Sequence, residues 1–292
     1  MRPKVSVIGT GDAAVAAVQR LSEAGPFDVV FYDPSGRPTA GRTLDLEWSG
    51  AIRGQRLSIL GSSDPAETAG SDILVLTPGD SGDVDGGADT LSMALDSVMA
   101  YSENPVLVLA AADSSSLCHV ARSVSGLPGS RVIGTGTLPD TARLRVLIAR
   151  ELGLSVECVE ALAVGQSGRM AMPLMRFSTA SGVPVSELLE TDRVTDLVRR
   201  FRCPNGGEEA EAAHTPSDAL AAAIARIVTA VGLGQADLLP CTVMLEGEYG
   251  LRNVFLSLPA LLGSGGVERV VELDLRMEEL VPLRLMAQAA VA

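Results

Sequence analysis

The stretch that decides the fold is VSVIGTGDAA, Val5 to Ala14, in which an apolar run ends at a glycine-rich turn. A short, continuous apolar run of this kind is typical of a buried parallel strand. Gly9 and Gly11 follow the run, and Ala14 stands where the third glycine of a Gly-x-Gly-x-x-Gly turn would be. Such a turn lets the backbone approach a pyrophosphate, and free N–H groups at the start of the next helix favour its negative charge. The stretch therefore predicts the first strand and helix of a dinucleotide-binding sheet.

The same alternation continues along the first half of the chain. Three further apolar runs end in turn residues and predict strands at Asp28–Asp33, Asp72–Gly79 and Pro105–Ala111. Ahead of them, Ala13–Gly25 has apolar residues at helical spacing and ends in glycine. Strands that alternate with helices predict a Rossmann-type doubly wound parallel sheet, which we assign to residues 1–139.

The pattern changes after about residue 140. Helices are predicted at Thr141–Gly153 and from about Thr215 to Val231. Strands follow at Cys241–Gly250, Asn253–Gly263 and Gly266–Asp274, with glycine-rich turns that suit an antiparallel meander, and a last helix closes the chain. Residues 140–292 are therefore predicted to form a C-terminal α+β domain with antiparallel strands.

An acidic residue at the tip of the second predicted strand specifies the cofactor. Asp33 lies roughly 20 residues after the glycine turn, the spacing at which a carboxylate accepts hydrogen bonds from ribose hydroxyls. The same carboxylate would repel the 2'-phosphate of NADP, so the sequence predicts NAD. The structural alternative is a tight turn in which Asp33 only caps a loop. The residues assigned to the cofactor are Gly9, Thr10, Gly11, Asp12, Ala13, Asp33, Pro78 and Gly79, with the side chain of Asp12 directed to solvent.

The composition argues against several classes of function. Lys and Arg number 23 against 36 Asp and Glu, and the net charge of -13 disfavours binding to nucleic acid or to an anionic membrane. No segment approaches the roughly 20 unbroken apolar residues that span a bilayer, and the first residues lack a secretory signal pattern, so we expect a cytoplasmic protein. Four widely spaced Cys, expected to be buried, and two His predict no metal site.

Three long blocks of the sequence carry a family likeness. They are GRTLDLEWSG (Gly41–Gly50), the segment Val124–Gly165, and LEGEYGLRNVFLSLPALLGSGGVERVVEL (Leu245–Leu273). In this order they resemble the lactate and malate dehydrogenase family, and the resemblance covers nearly the whole chain. It implies a nucleotide-binding domain followed by a substrate domain, a small carboxylate-bearing substrate, and a homodimer or homotetramer.

Two residues of the segment LPDTAR match family positions with defined roles. Asp140 falls where the family has the Asp that orients its proton-transferring His, and Arg143 where it has the Arg that binds the substrate carboxylate. A planar guanidinium can donate two parallel hydrogen bonds to a carboxylate, so Arg143 implies an acid as substrate. The alternative for Arg143 is a buried structural ion pair with a neighbouring acid.

Other family positions differ in this chain. The family's Gly-Gly-His-Gly-Asp turn is GQSGR here, Gly165–Arg169, so Ser167 stands at the His position. A serine hydroxyl takes a proton at neutral pH only with the help of a base, although it can hydrogen-bond a carbonyl oxygen. An ungapped count puts the family's loop Arg at Ala88 and its substrate-binding Asn at Ala112, or at Asp113 after a one-residue shift.

A predicted loop and two histidines complete the candidate site. The loop Gly79–Thr90 contains four Asp and no Arg or Lys, so it is either unsuited to closing over a dicarboxylate or simply solvated. His214 lies in a segment that resembles a wall of the family's substrate pocket, and it either replaces the missing acid or is structural. His119 is expected to be structural.

These observations predict an NAD-dependent oxidoreductase with altered chemistry, acting on a small carboxylated keto or imino substrate other than malate or lactate. The candidate catalytic residues are Ser167, Asp140, Arg143 and His214. An iminium substrate would need no acid, because hydride addition gives the amine directly. Two alternatives stay open: an inactive homologue that senses NAD or a metabolite or scaffolds a partner, and a non-redox use of the pocket such as elimination or cyclisation.

Overall fold

The computed structural model describes residues 2–9, 11–36, 39–54, 57–77, 84–111, 114–203 and 217–290, with the backbone alone for 84–87. Within these residues, eleven strands form one sheet that is parallel in its N-terminal part and antiparallel in its C-terminal part. Helices pack against this sheet. The α/β fold class predicted from the sequence is therefore confirmed.

Six parallel strands make up the N-terminal part: β1 (Lys4–Ile8), β2 (Asp28–Tyr32), β3 (Ile59–Ser62), β4 (Ile73–Leu76), β5 (Val106–Leu109) and β6 (Val132–Gly134). The helices that connect them are α1 (Asp12–Ala24), α2 (Ala40–Ile52), α3 (Val84–Met99) and α4 (Ser114–Ser125). The strand order β3-β2-β1-β4-β5-β6 is that of a doubly wound sheet. Strands β4 and β5 are fully buried because helices cover both faces, which explains their unbroken apolar runs.

The C-terminal part contains the remaining elements. Its strands are β7 (Val159–Glu160), β8 (Ala163–Gly165), β9 (Ala171–Pro173), β10 (Thr179–Ala180), β11 (Val183–Pro184), β12 (Asp237–Glu246), β13 (Arg252–Gly263) and β14 (Gly266–Val270). Its helices are α5 (Leu138–Leu152), α6 (Val185–Leu188), α7 (Thr191–Arg202), α8 (Ser217–Gly232) and α9 (Met277–Ala289). The large sheet continues through β6-β12-β13-β8-β9, with β14 beside β13, and β11-β10-β7 form a second sheet.

The two parts of the large sheet meet where β6 pairs with β12, at Gly134 and Thr242. A chain of buried hydroxyls crosses this junction: Ser114 Oγ lies 2.7 Å from Thr242 Oγ1, which lies 2.9 Å from Ser257 Oγ. A Cβ at Gly134 would lie 2.6 Å from the Cβ of Ser114, so this close packing requires glycine. Because one sheet runs through both parts, the domain boundary between residues 139 and 140 stays a prediction.

Helix α5 brings the predicted substrate residues to the carboxyl edge of the sheet. It begins just after β6, has a proline in its first turn, and ends at Gly153, whose φ of 66° is the left-handed conformation that favours glycine. Asp140, Leu144 and Ile148 are buried along one face of this helix. The buried face holds α5 against the sheet and places Asp140 one turn into the helix, beside the end of β6.

The predicted loop at Gly79–Thr90 is wrong in its second half, because α3 begins at Val84. Leu91, Leu95 and Val98 are buried at helical spacing, and the helix they anchor extends N-terminally through the two glycines of the segment. Ala88 therefore lies on a helix, and Asp89 beside it is exposed. Among the described residues, no helix is long and apolar enough to cross a membrane.

Candidate active site

The glycine turn after β1 has no room for a side chain at its first position. Gly9 has a φ of 152°, and a Cβ there would overlap Oγ1 of Thr77. Gly11 caps α1, and its carbonyl oxygen accepts the N–H of Ala14 at 3.1 Å. The first N–H groups of a helix lack intrahelical acceptors, so they are free for an anion. The backbone therefore fits the pyrophosphate of a dinucleotide, and Asp12 is exposed, as expected.

Asp33 lies at the end of β2, where the sequence places it, and is 4% exposed. Its Oδ1 accepts hydrogen bonds from the backbone N–H of Ser35 at 2.8 Å and from the Ser35 hydroxyl at 2.6 Å. These bonds fit the loop-capping alternative for one carboxylate oxygen. They also hold the carboxylate in place, and each carboxylate oxygen has further acceptor capacity for a ribose hydroxyl.

Several predicted site residues lie outside the described residues. They are Thr10, Pro78 and Gly79 of the cofactor set, His214 of the catalytic set, and Ala112 and Asp113 at the family's Asn position. Their roles stay predictions.

Asp140 is the centre of the substrate side of the site. It is 7% exposed, and its Oδ2 accepts the backbone N–H of Gly168 at 3.0 Å. Its Oδ1 accepts a hydrogen bond from Nη2 of Arg143 at 3.1 Å. Burial raises the pKa of Asp140, and the Gly168 hydrogen bond and the charge of Arg143 oppose that rise. Asp140 thus joins α5 to the turn between β8 and β9.

Arg143 is held by two contacts. It forms the ion pair with Asp140, and its guanidinium carbon lies 4.5 Å from the centre of the Phe201 ring on α7. Its Nε is buried without a hydrogen-bond partner among the described residues. The ion-pair alternative predicted for Arg143 is therefore present, but it uses one of several N–H donors of the guanidinium, and the others remain for a substrate carboxylate.

The turn between β8 and β9 contains Ser167. Gly165, at φ 96°, lies where a Cβ would be 2.6 Å from Sδ of Met286, and Gly168 has a φ of 77°. Both glycines adopt backbone conformations that other residues rarely take, so they set the shape of the turn. Ser167 is half-buried, and its hydroxyl makes no hydrogen bond to a described residue. The structure therefore places Ser167 next to the residue that bonds Asp140.

Two residues beside the site were not predicted. Phe201 packs on Arg143 although 58 positions separate them, and only the folded contact between α5 and α7 reveals it. Thr135 follows β6 directly, and its buried hydroxyl has no partner among the described residues. A polar residue in the segment GTGTLPD, at the end of a buried strand, was a signal that could have identified Thr135.

The remaining chemically reactive residues have structural surroundings. His119 accepts the backbone N–H of Phe255 at 3.4 Å and packs edge-on against that ring, so the predicted structural role agrees with its contacts. Burial, together with the charge of Arg122, lowers its pKa. Of the four Cys expected to be buried, Cys118 and Cys241 are buried, Cys158 is partly exposed, and Cys203 at the end of α7 is exposed. No group of residues in the described part of the chain is suited to hold a metal.

Comparisons with known proteins agree along the whole chain. Residues 137–289 match the model of the lactate/malate dehydrogenase alpha/beta C-terminal domain. The malate dehydrogenase of Roseiflexus sp. (strain RS-1) is 37% identical, covering 99% of this chain and 96% of that protein. The malate dehydrogenase structure from Salinibacter ruber has a TM-score of 0.89 at 31% identity, covering 99% and 95%. A Cryptosporidium parvum lactate dehydrogenase complexed with lactic acid and nicotinamide adenine dinucleotide has a TM-score of 0.90 at 25% identity, covering 100% and 96%.

The predicted altered chemistry, on a substrate other than malate or lactate, is wrong. It is overturned by full-length relatives such as the Roseiflexus protein, which are malate dehydrogenases. That prediction rested on a few side chains of the site. The similarity instead covers nearly the whole chain. The chain belongs to the lactate/malate dehydrogenase family.

Proposed function

We propose that this protein is an NAD-dependent malate dehydrogenase that interconverts malate and oxaloacetate. The observation that carries this proposal is the shared carboxylate of Asp140, which bonds both Arg143 and the turn after Ser167. The contact connects α5, which contains a guanidinium suited to a substrate carboxylate, to the turn that contains a hydroxyl suited to the reacting oxygen. The relatives named malate dehydrogenase, at 34–37% identity over nearly the full chain, support the choice of substrate.

NAD is the cofactor, as the sequence predicted. The Plasmodium falciparum malate dehydrogenase, 26% identical with a TM-score of 0.88, was solved in complex with NADH. In this chain, the first N–H groups of α1 follow the glycine turn, and the buried hydroxyl of Thr135 at the end of β6 has no partner among the described residues. NAD supplies the hydride acceptor when it is bound. The protein contributes the position of the substrate, which can account for much of the rate.

We also infer that Ser167 occupies the position of the family's proton-transferring His, and that Ala88 and Ala112 or Asp113 occupy those of its loop Arg and substrate Asn. The reaction remains the ordinary one, in which the hydroxyl proton of malate leaves as hydride departs. Ser167 can accept this proton only while it passes its own to a base. The Ser167 hydroxyl bonds no described residue, so we propose that solvent water takes its proton, while Asp140 holds the turn through the N–H of Gly168.

A homodimer is the assembly that the surface supports. Leu44, Trp48 and Ile52 lie at helical spacing on α2 and are 47%, 67% and 88% exposed. A stripe of large apolar side chains on one helix face is typical of a protein interface. A groove of about 740 Å³ between α5 and α8, lined by Leu138, Ala142, Ala222 and Leu238, is a second apolar surface. We expect Trp48→Glu to shift the mass measured by light scattering from dimer to monomer, whereas Arg20→Glu on α1 should leave it unchanged.

The function is tested by following NADH oxidation with oxaloacetate and with pyruvate. We expect turnover of oxaloacetate with a higher kcat/KM than for pyruvate. Arg143→Lys should raise KM for oxaloacetate about 10-fold or more, because a lysine cannot form the bidentate fork. Arg150→Lys, an exposed change on the same helix, is the matched control. Tight binding of NADH without turnover of oxaloacetate would contradict the proposal.

A further inference from the structure

A malate dehydrogenase has to bind two carboxylates, and each of them needs a cationic partner. This inference rests on the proposed function. Arg143 is engaged with Asp140 and Phe201 and suits the carboxylate next to the reacting carbon. A second guanidinium or ammonium group is needed for the remote carboxylate, because an unpaired buried charge is costly. From Leu57 to Ala121 the sequence has neither Lys nor Arg, so the segment around α3 cannot supply it.

Arg169 is a cation on the turn that contains Ser167. It directly follows Gly168, whose backbone N–H donates to Asp140 at 3.0 Å, and it is two residues from Ser167 in the sequence. One chain of bonds therefore connects the two arginines, from Arg143 through Asp140 and Gly168 to Arg169. The turn is set by Gly165 and Gly168, both at positive φ, so the position of Arg169 along the chain is fixed relative to α5.

Arg169 is also available for a ligand. It is exposed, and none of the ion pairs and hydrogen bonds between described residues involves it. Two arginines of the neighbouring helix α7 differ, since Arg199 pairs with Asp196, and Arg200 pairs with Glu151. A free guanidinium two residues from the reacting position, in a chain with a net charge of -13, is suited to bind a dianion.

We propose that Arg169 binds the remote carboxylate of a four-carbon dicarboxylate and thereby selects oxaloacetate and malate over pyruvate and lactate. Arg143 and Arg169 then bind opposite ends of the substrate. The cation that distinguishes a dicarboxylate from a monocarboxylate comes from the β8–β9 turn, not from the segment between β4 and α3. Arg169 is a specificity residue and takes no part in hydride or proton transfer.

The test compares a dicarboxylate with a monocarboxylate in the same variants. Arg169→Ala should raise KM for oxaloacetate about 10- to 100-fold, the loss expected for a charge-assisted pair, with kcat within about threefold. The kcat/KM for pyruvate should stay unchanged, Arg169→Lys should recover part of the loss, and Arg169→Asp should lose more than Arg169→Ala. Arg269→Ala, an exposed change on β14, is the control. If Arg169→Ala lowered kcat/KM for oxaloacetate and for pyruvate by the same factor, or left both unchanged, the proposal would be overturned.

A binding measurement separates this inference from the proposed function. Calorimetric titration of the NADH-bound protein with malate and with lactate needs no turnover. If wild type fails to reduce oxaloacetate, the proposed function fails. The assignment of Arg169 still stands if Arg169→Ala weakens malate binding at least 10-fold and leaves lactate binding unchanged. The assignment fails if the ratio of malate affinity to lactate affinity is the same in wild type and in Arg169→Ala.

Discussion

The glycine turn after β1 and the turn after β8 are built alike, yet they depend on their sequences differently. In both, glycine at a positive φ lies where a Cβ would meet another side chain, Thr77 at Gly9 and Met286 at Gly165. We expect the first turn to bind the cofactor through its backbone, so that its glycines are sufficient for this role. The second turn also has a backbone shape set by glycines, but the chemistry proposed for it depends on the side chains of Ser167 and Arg169.

The difference shows why a change of side chain in the second turn does not predict a change of reaction. Glycines preserve the geometry of the turn, and Asp140 bonds to its backbone N–H, a contact that does not depend on the side chain at position 167. We therefore expect the substrate to be placed in the same way with His or Ser at this position, and only the rate of proton transfer to differ.

The largest expected effect comes from giving the second turn a proton acceptor. Ser167→His should raise kcat for oxaloacetate reduction by roughly 10²- to 10⁴-fold, the usual contribution of a positioned general acid or base. Asp140 would orient the imidazole, since its oxygens have acceptor capacity beyond the bonds from Gly168 and Arg143. Stopped-flow measurement of NADH oxidation checks this, and a new pH dependence near the pKa of imidazole should appear.

Ser167→Ala is the matched control, and it should lower kcat because no hydroxyl remains to carry the proton. An unchanged kcat in both variants would show that position 167 lies away from the reacting oxygen.

The first turn should respond through binding, not through the pH dependence. Gly9→Ala would place a Cβ against Thr77 Oγ1 at a φ of 152°, so the turn has to distort. We expect Kd for NADH to rise about 10-fold or more, because the backbone N–H groups no longer point toward the pyrophosphate. The free energy of unfolding should fall by about 1–3 kcal/mol. Fluorescence titration of NADH and urea unfolding measure the two effects.

Gly54→Ala separates backbone strain from cofactor binding. Gly54 also has a positive φ, 72°, but no atom lies within 4 Å of a Cβ there. The Gly54→Ala variant should lose about 1 kcal/mol of stability and bind NADH with the same Kd as wild type. Equal NADH affinity in both variants would contradict the role assigned to Gly9.

Much of the nucleotide-binding part could be predicted from the sequence, because buried parallel strands are unbroken apolar runs. Strands β3 and β6 were not predicted, since ILGS mixes apolar and small residues and VIG has only three residues. The two- and three-residue strands β7 to β11 are likewise too short for any periodicity. In the site, motif positions identified Asp140 and Arg143. The contact with Phe201 could not be predicted, because it depends on how α5 packs against α7, and no local pattern encodes that packing.

The carboxylate of Asp140 should make stability depend on pH. Burial raises its pKa in the folded protein above the unfolded value near 3.9, so the folded state holds this proton more tightly. The resulting stability is fully present below the unfolded pKa and is lost as pH rises through the folded pKa. The free energy of unfolding of wild type minus that of Asp140→Asn should therefore decrease as pH rises from about 4 through the raised pKa of the folded state, as measured by urea unfolding.

Asp12→Asn, an exposed change at the first turn, is the control. The free energy of unfolding of wild type minus that of Asp12→Asn should not decrease over the same pH range. Parallel pH curves for wild type and Asp140→Asn would mean that Arg143 and Gly168 fully offset the effect of burial.

The smallest expected effect comes from the ring that packs on Arg143. Phe201→Leu removes a cation–π contact with a distance of 4.5 Å and leaves the Asp140 ion pair intact. A contact of this kind contributes about 0.5–1 kcal/mol, so KM for oxaloacetate should rise only about 2- to 5-fold, with kcat nearly unchanged. Phe255→Leu is a matched control, since both rings are fully buried but Phe255 packs against His119. Both variants should lose similar stability, and only Phe201→Leu should change KM. If both change KM equally, Phe201 supports the fold in general, and Arg143 is positioned by Asp140 alone.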